Sequence, residues 1–332
     1  MSSDSLLFNR DDGVATITFN RPSRKNAFDF ATLVDLVDVL TEERKHYEDR
    51  VLIITGAGGS FCSGADVSDP TGILGAVTAD NGAVTADSNE EGRLGANIDS
   101  LNASNALNAS KEIAEVGNRG SVQSSDGENA LGGSALEVAR LKDTKGVNPH
   151  DLYGLRYLAE AALQLHRLPI PTIAKVAGIA AGAGLSLALA CDMVVAGESA
   201  RFSEIFPRRG LSLDGGSSWL LPRLVGLHKA KELAYFGDII SAREALEIHL
   251  INRVVPDDEL DSFVDDWARR LASGPTLAYS MTKTLLNSAF DTSFEDIVEH
   301  EVRAQALNFK SHDTLEAMAA FLEKREPKFE GR

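Results

Sequence analysis

Three short stretches hold residues whose types and spacing suit chemistry. GLSLDGGSSW (210–219) sets one carboxylate, Asp214, among glycines and serines, with Leu211 and Leu213 before it and Trp219 after it. Apolar surroundings strip water from a carboxylate and raise its proton affinity, which suits it to carry protons near neutral pH. A turn aspartate satisfying local amides would use the same residues. FCSGAD (61–66) and AGAGLSL (181–187) are small-residue turns, each expected between a strand and a helix. Small residues let backbone approach a ligand closely, and a helix start leaves amides without internal partners. Two such amides, those of Ala65 and Ala183, aimed at one oxygen would form an oxyanion hole. Turns that only reverse the chain would look the same.

Other chemistries fit less well. TGAGGSF lacks the third glycine of a dinucleotide fingerprint, and no Gly-Lys-Ser/Thr ending marks a phosphate loop. GLSLA (184–188) misses a Gly-x-Ser-x-Gly nucleophile elbow, since its last residue is alanine. No cluster of His, Cys and carboxylates has metal-ligand spacing. Cys62 and Cys191 are read as small buried hydrophobes, Asp192 as a structural cap or ion-pair partner, and Trp219 as packing.

Composition narrows the partners. The chain has 332 residues, with 33 Lys+Arg against 49 Asp+Glu and a net charge of -16. That balance argues against nucleic acid and against an anionic membrane surface, both of which need a basic face. Two cysteines make no disulfide framework, and no apolar run reaches membrane-spanning length. MSSDSLLFNRDDG has no basic region followed by an apolar run, so a cytoplasmic protein without membrane insertion is expected.

The elements that must hold the three stretches can be read from patterning. VATITFN (14–20) alternates as a half-buried strand, and residues 26–47 are helical with Phe30, Leu33, Val34, Val37 and Leu40 on one face. VLIIT (51–55) is a continuous apolar run, as in a strand covered on both faces. DLYGLRYLAEAALQLHRLPIP is a helix stopped by prolines, TIAKVAGIAA a strand, AGAGLSLALACD a glycine turn into a helix, and MVVAG another strand. INRVVP is a short strand within a mostly helical region after 222. Alternating strands and helices indicate an α/β fold. Between Phe61 and Tyr153 there is no aromatic residue, and the Ala/Asn/Ser/Gly-rich stretch 70–150 cannot build much core.

NRPSRKNAF (20–28), VLIITGAGGSFCSGADV (51–67), LPIPTIAKVAGIAAGAGLSLALACDMVVA (168–196) and FSEIFPRRGLSLDGGSSWLLPRLVG (202–226) together resemble the enoyl-CoA hydratase/isomerase (crotonase) superfamily. The similarity spans roughly 1–69 and 150–332, and the ending AFLEKREPKFEGR fits it. The resemblance implies a crotonase-like spiral of ββα units over 1–222, with 70–150 as an atypical insertion. It implies a helical trimerisation region over 223–332, and a homotrimer or dimer of trimers. The shared chemistry is stabilisation of an acyl-CoA thioester enolate by two backbone amides, which fall on Ala65 and Ala183, with Gly64 and Gly182 shaping the same wall. The CoA site falls on the Arg21–Ala27 loop, especially Lys25 and Ala27, with Asp66, Val67 and, from the C-terminal region, Lys283. Coenzyme A arrives as part of the substrate, so no separate cofactor is expected.

The two glutamates with which hydratases of this family add water would fall on Ser186 and Phe206, so both are missing. Asp214 falls where dienoyl-CoA isomerases, ring-opened phenylacetyl-CoA isomerases and aromatic-acyl-CoA dehalogenases carry an aspartate. Asp214 is therefore the expected proton carrier of an enoyl-CoA isomerase. A hydratase is the alternative, with Glu204 as the group holding water; otherwise Glu204 is structural or solvated. An acyl-CoA-binding scaffold with weak catalysis is a third reading, in which 70–150 would carry the function.

Overall fold

The computed structural model describes residues 4–66 and 149–332. The stretch from 70 to 150, read as an insertion, lies outside them except for the start of a helix, and Val67 lies outside them too. In chain order the elements are β1 (Leu6–Asp11), β2 (Val14–Phe19), α1 (Phe30–Glu43), β3 (Val51–Gly56), α2 (Pro149–Arg167), β4 (Thr172–Val176), β5 (Ile179–Ala181), α3 (Ala183–Ala190), β6 (Met193–Gly197), β7 (Arg201–Ser203), α4 (Ser217–Val225), α5 (Leu227–Phe236), β8 (Ile240–Ser241), α6 (Ala242–Glu247), β9 (Arg253–Val255), α7 (Leu260–Ala272), α8 (Thr276–Ser288), α9 (Phe294–Asn308) and α10 (His312–Glu323). The boundary expected at 222 falls inside α4, because Pro222 is tolerated within that helix, which ends at Gly226.

Six strands form one sheet in the order β1-β2-β3-β4-β6-β9. Only the β1–β2 pair is antiparallel. The run VLIIT owes its unbroken apolar character to cover on both sides. Leu52 and Ile54 join Leu33, Leu36 and Leu40 of α1 in one core cluster. Val51 and Ile53 join Leu260, Val264, Ala268 and Ala272 of α7 in another. The four-residue spacing of the α7 set is one helix face. In α1 the buried stripe centres on Leu36, and Phe30 instead meets the Tyr157 ring at 5.4 Å.

TIAKVAGIAA is two strands, not one. Gly178, at φ +57°, turns the chain out of the large sheet after β4 and into a second sheet, β5-β7-β8. A side chain at 178 would meet the Gly59 carbonyl at 2.2 Å, so the turn requires glycine. This switch between sheets carries AGAGLSL to the site. Among the described residues no helix is long and apolar enough to cross a membrane.

Candidate active site

The two glycine turns are brought together by backbone pairing. The Cys62 amide donates to the Ile179 carbonyl (2.9 Å), and the Ala181 amide to the Cys62 carbonyl (3.0 Å). On its other edge the same segment pairs with Phe28: the Phe28 amide donates to Gly64 and the Asp66 amide to Phe28, both at 2.8 Å. Residues 62–66 thus form a ribbon between β5 and the 26–28 segment. Buried Asn26 secures that segment, its side-chain amide donating to the carbonyls of Ala57 (2.9 Å) and Ser60 (2.6 Å). Contact between the turns is tight enough to demand glycine. A Cβ on Gly184 would lie 2.4 Å from the Cys62 carbonyl oxygen, and one on Gly64, at φ +98°, 3.0 Å from the Ala181 carbonyl oxygen.

Pairing through Phe28 uses the Gly64 carbonyl and the Asp66 amide, the groups on either side of Ala65, and leaves the Ala65 amide outside the pairing. Ala183 is the first residue of α3, where an amide has no helical acceptor. Neither amide donates to an acceptor among the described residues. Both line a pocket of about 600 Å³, together with Lys25, Ala27, Gly64, Asp66, Gly182 and Asp214. Folding therefore gathers eight of the sequence-expected site residues at one place.

Asp214 sits in that wall with Leu158, Phe206 and Leu213. Its Oδ1 is buried without a hydrogen-bond partner among the described residues, and burial pushes its carboxyl up to about 6. The backbone around it is pinned. The Asp214 carbonyl accepts from the Ser217 amide (3.0 Å) and the Ser186 hydroxyl (3.1 Å). Gly215 and Gly216 follow at φ +54° and +88°, and a side chain at 215 would meet the Ser186 Cβ at 2.7 Å. Asp66, the other carboxylate that the described residues place in the wall, is only 6% exposed and ion-paired with Arg21 at 3.0 Å.

The whole chain can now be set beside known proteins. The model of the family described as enoyl-CoA hydratase/isomerase matches residues 9–81 and 139–332. The chain belongs to that family. It is 30% identical to the 1,2-epoxyphenylacetyl-CoA isomerase of Escherichia coli, over 98% of both chains. It is 28% identical to the crotonyl-CoA hydratase of Syntrophomonas wolfei, over 99% of both. An enoyl-CoA hydratase structure from Bacillus anthracis superposes with a TM-score of 0.72 at 26% identity, covering 99% of this chain and 100% of that one. The protein is an enzyme of the hydratase/isomerase family, with the crotonase fold expected from its motifs.

Against that family pattern, two residues fall elsewhere than expected. Lys283 does not line the pocket of this family member. Its side chain is 9% exposed, and its ammonium pairs with Asp192 at 2.8 Å and donates to the carbonyls of Leu165 and Ile170. It borders a second cavity of about 830 Å³ instead. Trp219 also faces that second cavity, packed between His166 (5.3 Å between rings) and the Arg223 guanidinium (3.8 Å). Leu158, Phe206 and Leu213, but not Trp219, share the pocket wall with Asp214. Leu158 carries no local signal, since it reaches the site from α2 across the long atypical stretch. Cys62 and Cys191 are buried and their thiols are pushed up to about 12, so neither is a nucleophile. Glu204 is not solvated: it is 1% exposed and absent from the pocket wall.

Proposed function

We propose that the protein is an enoyl-CoA isomerase that shifts a double bond through a thioester enolate, with Asp214 as the proton carrier. The observation that carries this reading is the single uncommitted carboxylate that the described residues place in the pocket wall. Asp66 is tied to Arg21, whereas Asp214 has a buried, unpartnered oxygen beside the two amide donors. The positions of the hydratase glutamates hold Ser186, fully buried and bonded to backbone and Ser217, and the apolar Phe206. The similarity to a protein named as an isomerase points the same way.

The geometry suits a proton shuttle. The thioester carbonyl oxygen sits between the Ala65 and Ala183 amides, and negative charge accumulates on it as a proton leaves the acyl chain. Asp214 takes that proton from one carbon and returns it to another. No water is consumed, so one carboxyl group suffices. Lys25 and Ala27 contact the CoA moiety at the pocket mouth, and CoA is part of the substrate. A hydratase reading, which other similar proteins' names suggest, needs a second acid beside the bound substrate. Glu204 does not line the wall.

The test is proton NMR in D₂O with a 3-enoyl-CoA and, separately, a 2-enoyl-CoA. Double-bond migration without net hydration is expected, falling by about 10²–10⁴ in Asp214→Asn while acyl-CoA still binds. Formation of 3-hydroxyacyl-CoA, or exchange retained in the variant, would overturn the reading. We also propose assembly into a trimer or dimer of trimers through the helical C-terminal region.

A further inference from the structure

One ionisable side chain near the pocket is not used by the reaction proposed above. Glu204 follows β7, is 1% exposed, and has both carboxylate oxygens buried without a properly aligned partner among the described residues. An unpaired charge in such a place costs several kcal/mol, and a proton removes it. Its surroundings offer little to hold a carboxylate. The Ser217 hydroxyl lies close enough to lower its proton affinity but not aligned for a hydrogen bond. Asp214 is the one charged group among the described residues found to act on it, and raises that affinity. Arg208, on the next turn, is occupied by Asp238 at 2.7 Å, and Arg209 lines the pocket.

Hydrogen-bond accounting points the same way. The Ser186 and Ser217 hydroxyls are 2.9 Å apart, and Ser186 also reaches the carbonyls of Asp214 (3.1 Å) and Gly182 (3.2 Å). Two hydroxyls bring two hydrogens. With Ser186 donating to the Asp214 carbonyl and Ser217 donating to Ser186, the Ser217 oxygen is left as an acceptor. Both hydroxyls are thus engaged with each other and with backbone, and neither is aligned on the Glu204 carboxylate, whose charge would stand uncompensated.

We infer that Glu204 is a positioning residue for the isomerisation: a buried carboxylic acid that stays protonated while Asp214 is ionised and so keeps a single negative charge beside the forming enolate. This rests on Asp214 being the proton carrier. Glu204 is 1% exposed and off the pocket wall whereas Asp214 lines the pocket, so burial opposes ionisation of Glu204 more strongly and Asp214 loses its proton first. Once Glu204 also ionises, like-charge repulsion makes Asp214 bind its proton more tightly. Asp214 then takes a proton readily and returns it slowly, and turnover falls.

The experiment is the pH profile of double-bond migration for the wild type, Glu204→Gln and Glu204→Asp. The wild type should show two limbs, losing about tenfold between pH 7 and 8.5. Glu204→Gln cannot ionise and should lose the alkaline limb, and Glu204→Asp should restore it. An alkaline limb unchanged in Glu204→Gln overturns the inference. A second readout does not need the variant to be active. Infrared difference spectra of the wild type across a jump from pH 6 to pH 8 should show loss of a protonated-carboxyl C=O stretch. In Asp214→Asn that titration should move to lower pH, because the repelling charge is gone. Absence of any such band in the wild type also overturns the inference. Exchange surviving in Asp214→Asn would instead sink the proton-carrier reading, which separates the two failures.

Discussion

At the scale of the residue, function and stability pull Asp214 in opposite directions. In the unfolded chain an aspartate loses its proton near 3.8, whereas burial holds Asp214 protonated up to about 6. Between those values the folded state binds more protons than the unfolded one, so this group's contribution to stability falls as pH rises and is flat above about 6. Asp214→Asn should therefore stabilise the protein at pH 8 by up to about 2–3 kcal/mol and leave it little changed at pH 4. Urea unfolding at the two pH values checks this; equal gains at both would show that burial does not penalise the charge. The side chain proposed to carry the proton thus marks a place in the wall that disfavours charge. The candidate aspartate was legible from its own neighbours, Leu211 to Trp219, but the side chains that share its wall were not. Leu158 and Phe206 come from other segments, while Trp219, though close in sequence, turns toward Arg223.

At the scale of the element, the proposed oxyanion site is made by two turns that touch. Cys62 pairs with β5 while Gly184 lies against its carbonyl, so the first turn of α3 and the 62–66 ribbon act as one unit. This predicts the outcome of removing one amide. Ala183 is the first residue of α3, a position where proline's fixed φ is tolerated and where no helical hydrogen bond is lost. Ala183→Pro should keep the helix and lower the rate about 10²–10³-fold, the magnitude of losing one oxyanion donor. Circular dichroism and the D₂O exchange assay together test it. A folded variant with unaltered rate would remove Ala183 from the site. Each turn was visible in the sequence as a cluster of small residues. That they meet was not, because Cys62 and Ile179 are joined only through strand pairing across the fold.

At the scale of the whole molecule, the C-terminal helices present apolar surface that the other described residues do not cover. No residue of α8 or α9 is buried, and Phe290, Phe294, Phe309 and Phe321 are 73%, 77%, 62% and 83% exposed. Large aromatic side chains on one helical region indicate an interface. In sedimentation the wild type should run as a trimer or larger, and Phe294→Asp combined with Phe321→Asp should shift it toward monomer. A wild-type monomer would leave these side chains without a role in assembly.

The sequence by itself determined the α/β class, the strands and helices with clear periodicity, and the two turns and one aspartate on which the proposed chemistry rests. Those features are local: alternation, helical spacing and glycine content report directly on backbone geometry and on which faces meet the core. Only the tertiary structure decided what surrounds each group. It split TIAKVAGIAA between two sheets at Gly178, committed Lys283 to Asp192, and buried Glu204 beside the Ser186–Ser217 pair. Burial and ion pairing depend on residues far apart in the chain, and proton affinity follows from them, so the charge state of the site is a property of the fold rather than of any motif.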